Sequence, residues 1–479
     1  MILYPNKQLP LCYRYFLLAA FAFAINILLF HDVAFPDTPS PQIIKLNIDQ
    51  AIAIALQDNR SLRGSIYDLD SRKLDLSTAQ SDFSVKAYPL ANASIEDGDE
   101  ILQAGLSFKK KFVNGVEVAL TPLVGHTGGD YTAKVGTALS VPLLKGFGKD
   151  VNLDRINSSQ FSIRSSERSL YRQKINTVLN TASGVYEIIK QQSLVQLYDD
   201  QVQRLKSHSE NAMIKEKVGL ATPMDVYRAE IRRKDAENNL TLAQEGFRDT
   251  QDRLKLILSL SLDKVIEVSA PLKVEPIKLS YSEAADIALN NRIELKQRLD
   301  EVEEAKRKSL LSKHNTLPQL DMVFQYRRYG VSDGFTENFG LNEDRWSISL
   351  VSNTDLARTS EKNSYQQSLI NVNIARLNLE DNKEEIFREV KQQLKSMEQS
   401  LDRIRIRKEQ INQAEGRLAL AKVQFRHGKT DNFDVIEAET EFQRANADLL
   451  AVETEYIVGT FRMRVYLGTL LENPAEFSR

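Results

Sequence analysis

Two acidic residues recur in equivalent places of this 479-residue chain, Asp225 and Asp434, 209 positions apart. Each stands in a turn of the same make: Gly219-Leu220-Ala221-Thr222-Pro223-Met224-Asp225-Val226 and Gly428-Lys429-Thr430-Asp431-Asn432-Phe433-Asp434-Val435. Gly219 and Gly428 suit the left-handed residue just beyond a helix end. Thr222 and Asp431 are N-caps for a returning helix, Pro223 fits its first position, and Asp225 and Asp434 fall at the third. Carboxylates so placed satisfy helix N–H groups and leave negative charge at the tip of whatever the helices build.

Other chemistry is scarce. His208, His314 and His427 are far apart and lack acidic or thiol neighbours at ligand spacing, so no metal site or cofactor is expected. Gly146-Phe147-Gly148-Lys149 lacks the leading glycine of a phosphate loop, and Asp150 stands where Ser or Thr would bind magnesium. That segment reads as a strand-to-helix passage. Sixty-three basic against 65 acidic side chains leave a net charge of −2, which gives no support to a nucleic-acid partner. A mean hydropathy of −0.35 is too polar for a bundle of membrane helices. No catalytic set emerges, and the expectation is a protein that is not an enzyme.

The elements that carry the two turns are long helices. Positions 226, 229, 233, 236, 240, 243, 247, 250, 254 and 257, and the ten positions 209 residues later, repeat at steps of three and four with apolar residues dominant. That spacing specifies a coiled-coil seam. In the preceding helix of the second half, Val390, Leu394, Met397, Leu401, Ile404, Ile411, Leu418 and Phe425 continue it, interrupted by Lys408, Glu415 and Lys422. No proline occurs from 152 to 217, and a helix of that length spans on the order of 100 Å. A compact core needs no such rod; a structure that bridges a distance does.

The chain is a duplication. Residues 46–56 match 279–289 at an offset of 233, both as helix starts with Asn47 or Ser280 as cap and Gln50 or Glu283 closing a capping box. Residues 219–258 match 428–467 at an offset of 209, so the first repeat is longer by 24 residues. An extra hairpin over 102–124, with Asn114-Gly115 as its turn, accounts for them. Between helices lie alternating strands: Met322, Phe324 and Tyr326; Trp346, Ile348 and Leu350; Val135, Thr137, Leu139 and Val141. The domains expected are a signal peptide over 1–36, a first repeat over 37–258 with its turn at 218–225, and a linker over 259–278. A second repeat over 279–472, with its turn at 427–434, and a tail over 473–479 complete the chain. Lys7 and Arg14 before the apolar run 15–30 have the layout of a secretory signal, which would carry Cys12 away with it.

These features together resemble the TolC-like outer membrane efflux protein family. The resemblance rests on the duplicated leading helix, the passage Val141-Pro142-Leu143-Leu144-Lys145-Gly146-Phe147-Gly148 and the two turns, ordered around long heptad hairpins. It implies a mainly α fold with a small β part. Three chains would each give four strands to a 12-stranded barrel in the outer membrane of a Gram-negative bacterium, continued by an α-helical periplasmic tunnel. It implies a passive exit duct in tripartite efflux or type I secretion, fed by an inner membrane pump of RND, ABC or MFS type through a periplasmic adaptor. The constricting carboxylates of the family fall on Asp434 and Glu437, and its acidic latch on Asp225. The tips, with Gly219, Leu220, Pro223, Gly428 and Lys429, would dock the adaptor; Pro142, Gly146 and Gly148 would form the passage. The family's arginine and tyrosine partners fall on Thr430 and Phe425, which implies a closed state held by other contacts, with Lys429 and Arg426 as cationic substitutes. Where the second repeat lacks the passage proline, Asn353 or Asp355 is expected to cap the next helix. The rivals are a periplasmic adaptor and a coiled-coil scaffold without a channel. Two hairpins at a fixed offset, an export signal and alternating strands argue against both.

Overall fold

The computed structural model describes residues 43–472 apart from 98, 333, 335 and 337–339. The expected signal peptide, Cys12 and the tail lie outside the described residues.

Each repeat opens on a short helix pair. In the first, α1 (Ile48–Asp58) and α2 (Arg60–Ser81) follow strand β1 (Ile43–Asn47). The Asn47 side chain accepts from the Gln50 N–H at 2.8 Å and the Asn47 N–H donates to the Gln50 side chain at 3.0 Å, the reciprocal box read from the sequence. Four strands follow, β2 (Val85–Glu96), β3 (Asp99–Lys111), β4 (Glu117–Thr127) and β5 (Asp130–Pro142). After the one-turn α3 (Lys149–Asn152) come α4 (Asp154–Lys217) and α5 (Pro223–Ile257). Strand β6 (Val265–Ser269) leads to the second repeat: α6 (Tyr281–Asn291), α7 (Ile293–Asn315), β7 (Asp321–Ser332), β8 (Glu343–Val351), α8 (Thr359–Arg426) and α9 (Asn432–Leu467).

The long helices are unbroken, α4 over 64 residues and α8 over 68, each folding back on its shorter partner. The seams are those of the heptad pattern. Ala229, Ala236, Ala243, Thr250 and Leu254 are buried, as are their counterparts Ala438, Ala445, Val452, Gly459 and Met463. Lys408, Glu415 and Lys422, which interrupt the apolar series, are exposed. The duplication extends to the two largest cores. Ala51, Ala55, Leu254 and Leu258 sit in one, and Ala284, Ala288, Met463 and Leu467 occupy the same places in the other. Small alanines let each leading helix lie close on the long hairpin.

The strands form one six-stranded antiparallel layer, ordered β2-β3-β4-β5-β7-β8. The expected extra hairpin is β3–β4, turned at Asn114-Gly115, and it lies inside this sheet. The sheet therefore holds six strands where the resemblance implies four. Residues facing one side in a single cross-strand row are Ala87, Phe108, Leu120, Thr137, Tyr326 and Trp346. The adjacent row on the other side is Lys86, Lys109, Ala119, Ala138, Gln325 and Ser347. No second sheet covers either face among the described residues: Trp346 is 68% exposed and Ile348 61%.

Two expectations need correction. The segment 259–278 is more than a linker: β6 pairs in parallel with β1, Ile44 opposite Ile266 and Leu46 opposite Val268, and seals the first core. Beyond it, Tyr186 Oη donates to the Pro271 carbonyl at 3.5 Å and Tyr456 Oη to that of Glu275 at 3.0 Å, pinning the chain across both hairpins. Nor does Asn353 or Asp355 cap α8. Asp355 accepts from the Ala357 N–H at 3.1 Å, and the helix starts after Arg358, which is left-handed at φ 49° and reaches the Thr316 carbonyl at 3.0 Å. The bend from strand to helix takes more residues than one capping step spans. Ser352 and Gln319 spend their polar groups holding β8's end to the segment before β7.

Candidate functional site

The candidate site is the pair of helical tips. Each long helix ends in two crossed bonds: Gly219 N–H to Glu216 and Leu220 N–H to Lys215 at the first tip, Gly428 N–H to Phe425 and Lys429 N–H to Gln424 at the second. These satisfy carbonyls that a helix end leaves bare, and they require a positive φ at the glycine, 75° at Gly219 and 67° at Gly428. The returning helices differ. Thr222 donates from its hydroxyl to Asp225 Oδ2 at 2.7 Å and from its N–H at 2.9 Å, while accepting from the Asp225 N–H. The backbone and hydroxyl donors of Thr222 hold the Asp225 carboxyl below its usual range. At the second tip Asp431 accepts from the Phe433 and Asp434 N–H groups at 3.0 and 3.1 Å, and the Asp434 carboxylate turns outward to accept from the Thr430 hydroxyl.

Asp434 and Glu437 are exposed on neighbouring turns of α9. Arg417 reaches Glu437 at 2.6 Å and also pairs with Glu441, so one guanidinium on α8 ties back the carboxylates above Asp434. The structure thus brings Asp434, Glu437 and Asp225 to one end of the molecule, 64 residues along α4 from the passage at Pro142, Gly146 and Gly148. At that passage β5 ends on Pro142, and Gly146 and Gly148 adopt φ of 88° and 110°. The Gly146 N–H donates to His314 Nε2 at 3.2 Å, and Asn152 donates to both glycine carbonyls, at 2.8 and 2.9 Å.

Contacts between the two hairpins carry what the turn motifs could not show. Lys215 Nζ sits 3.7 Å from the centre of the Phe425 ring, a cation–π contact across the tips, and Arg228 lies over Phe433. His208 Nδ1 pairs with Asn432 Oδ1 at 3.1 Å, and the Asn432 side chain donates back to the His208 carbonyl at 3.4 Å. Burial holds the His208 pKa below its ordinary value despite that bond. Below them Glu439, only 1% exposed, pairs with Arg204 and stands 3.5 Å from Lys422. Neither Lys429 nor Arg426 forms an ion pair among the described residues; the cation over the Phe425 ring is Lys215. The one sequence signal for this interface is a second buried stripe on α9, Ile436, Glu439 and Gln443, beside the main seam.

The first tip also leaves apolar surface in the open. Leu220 is 76% exposed, Tyr227 66% and Met224 57%. Among the described residues no helix is long and apolar enough to cross a membrane, and no cluster of three metal-ligating side chains occurs.

Residues 284–469 match the family model for outer membrane efflux proteins. No curated protein sequence matches the chain. Among solved structures it is similar to the CmeC outer membrane channel of Campylobacter jejuni, at 14% identity over 90% of this chain and 87% of that one, with a TM-score of 0.71. It is similar also to VceC of Vibrio cholerae, at 14% identity over 88% and 96% with a TM-score of 0.67. A third is the open state of the MtrE channel of Neisseria gonorrhoeae, at 14% over 88% and 89% with a TM-score of 0.66. The sequence of the second repeat is thus similar to outer membrane efflux proteins, and about nine tenths of the chain shares the fold of outer membrane channels.

Proposed function

We propose that this chain is the outer membrane duct of a tripartite efflux or type I secretion system, assembled as a homotrimer. Substrates would reach it from an inner membrane pump of RND, ABC or MFS type through a periplasmic adaptor. The carrying observation is the single-layer sheet with one apolar and one polar face and two unpaired edges. An edge of bare N–H and C=O groups cannot stand in lipid, so such a sheet must close, and three copies around an axis close it. Its strands run from 9 to 13 residues, the length that crosses the hydrocarbon layer when tilted. The apolar face then meets outer membrane lipid, the polar face lines water, and α4 and α8 carry the passage on the order of 100 Å into the periplasm.

In this reading the tips are the gate. Three copies of Asp434 and Glu437 converge near the axis, where like charges narrow the route and favour cations. The exposed Leu220, Met224 and Tyr227 suit the apolar contact of an adaptor hairpin. Reconstitution in a planar bilayer tests it: trimer-sized particles with cation-selective conductance are expected, and no conductance ends the reading. Asp434→Ala should raise single-channel conductance, whereas an unchanged value would remove Asp434 from the constriction.

A further inference from the structure

We infer that the β3–β4 hairpin is part of the membrane wall, so that three copies close an 18-stranded barrel with β8 of each chain paired to β2 of the next. The inference rests on the trimeric duct proposed above and departs from the twelve strands that four per chain would give.

Three observations carry it. First, the ladder crosses the hairpin in unbroken register: Ala87 faces Phe108, Phe108 faces Leu120, and Leu120 faces Thr137. Second, the hairpin repeats the two-faced pattern of its neighbours. Leu102, Ala104, Leu106 and Phe108 of β3 share the apolar face with Leu120 and Val124 of β4, while Gln103, Ser107 and Lys109 turn the other way. A hairpin lying outside the wall, in water, has no use for an apolar band in line with the strands on either side. Third, the turn is seated against the helical end of the sheet. The Gly148 N–H donates to the Asn114 carbonyl at 3.0 Å, and a Cβ on Gly115 would lie 2.4 Å from the Gly146 carbonyl and 3.0 Å from Pro142. The hairpin cannot swing out without giving up that seat.

The edges then decide the partner. Strand β2 leads away from the helices and β8 returns to them, so β8 of one copy beside β2 of another is antiparallel, as closure of an even number of strands demands. The occupant of each edge is a second copy of this chain. Since barrel diameter grows roughly linearly with strand number, 18 strands give a lumen about half again as wide as 12, set on the same number of helical rods. Selection by size would then fall to the tips and not to the barrel.

Density maps of the intact protein in detergent or nanodiscs test this directly by strand count. A threefold ring of 18 strands, β8 bonded to β2, is the expected result. A threefold ring of 12, with β3–β4 folded outside it or into the lumen, overturns the inference and leaves the duct intact; absence of a ring overturns both. A variant lacking residues 97–127, which joins β2 to β5, adds a functional reading. The largest polyethylene glycol entering from the extracellular side should fall in diameter by about a third relative to the full chain. An unchanged cut-off, in a variant that still conducts, would count against the wider wall.

Discussion

The two tips share a plan and differ in chemistry. Both close with a positive-φ glycine and crossed N–H bonds, and both place an aspartate at the third residue of the returning helix. At the first, the cap is Thr222, whose hydroxyl both donates and accepts, so it absorbs the Asp225 carboxylate. At the second, the cap is Asp431, which only accepts, and the Asp434 carboxylate is left exposed with Thr430 as its neighbour. The outer surfaces diverge as well, Leu220, Met224 and Tyr227 on one side and His427, Lys429 and Asp431 on the other. One residue type at the cap thus separates a structural aspartate from an available one, and in the proposed duct the duplicated turn divides into an apolar tip suited to docking and a charged tip suited to a gate.

The largest expected effect comes from the docking side. The double substitution Leu220→Asp with Met224→Asp should lower co-purification of the adaptor by more than roughly tenfold, since each buried apolar side chain contributes about 1.5–3 kcal/mol. The matching change at the second tip, His427→Asp with Lys429→Asp, should lower it far less. Equal losses would erase the division of labour.

Next is the contact that joins the tips. Arg204→Met leaves Glu439 buried with Lys422 as its remaining ion-pair partner. It should weaken the packing of α4 on α9 by on the order of 2 kcal/mol, read as faster hydrogen exchange over 205–212 and 435–443. No change would mean that the apolar contacts around Ile436 and Leu205 suffice.

A smaller effect sharpens the cap difference. Thr222→Val should cost about 1 kcal/mol and let the Asp225 pKa return part of the way upward, because the hydroxyl donor is lost while the backbone N–H, the larger cause of the depression, stays. A carbon-detected titration of that carboxyl checks it. The least effect is on pH dependence. Because burial depresses the His208 pKa, the folded tips refuse a proton that the opened tips accept. Their contact is at full strength above the ordinary histidine value of about 6.5 and weakens as pH falls below it. Hydrogen exchange over 425–440 at pH 7.5 and 5.5 should show the change, and His208→Gln should abolish it.

Much of this plan was legible residue by residue. Asn47 with Gln50 and Ser280 with Glu283 could be named as capping boxes, and Thr222 as a cap with Asp225 at the third helical residue, because such bonds span three residues. The seam alanines of α5 and α9 followed from a period that any helix imposes. What escaped had partners far away in sequence. His314, with nothing at ligand spacing, receives the Gly146 N–H from 168 residues back. The segment 259–278 looked like a connector because its strand, β6, has its mate in β1. Asp355 carried good cap chemistry, but its carboxylate accepts from the Ala357 N–H, before the helix begins.

Sequence by itself determined the repeat, the rods, the turns and the two-faced strands, because helix period, capping and strand alternation are settled within a few residues of each other. Only the tertiary structure decided that β3–β4 joins the sheet between β2 and β5, that Lys215 meets Phe425, and that Glu439 is buried against Arg204. Those pairings depend on which faces of two long hairpins turn toward each other. Periodicity names the faces of a helix, but a face acquires its partner only when the rods are packed side by side.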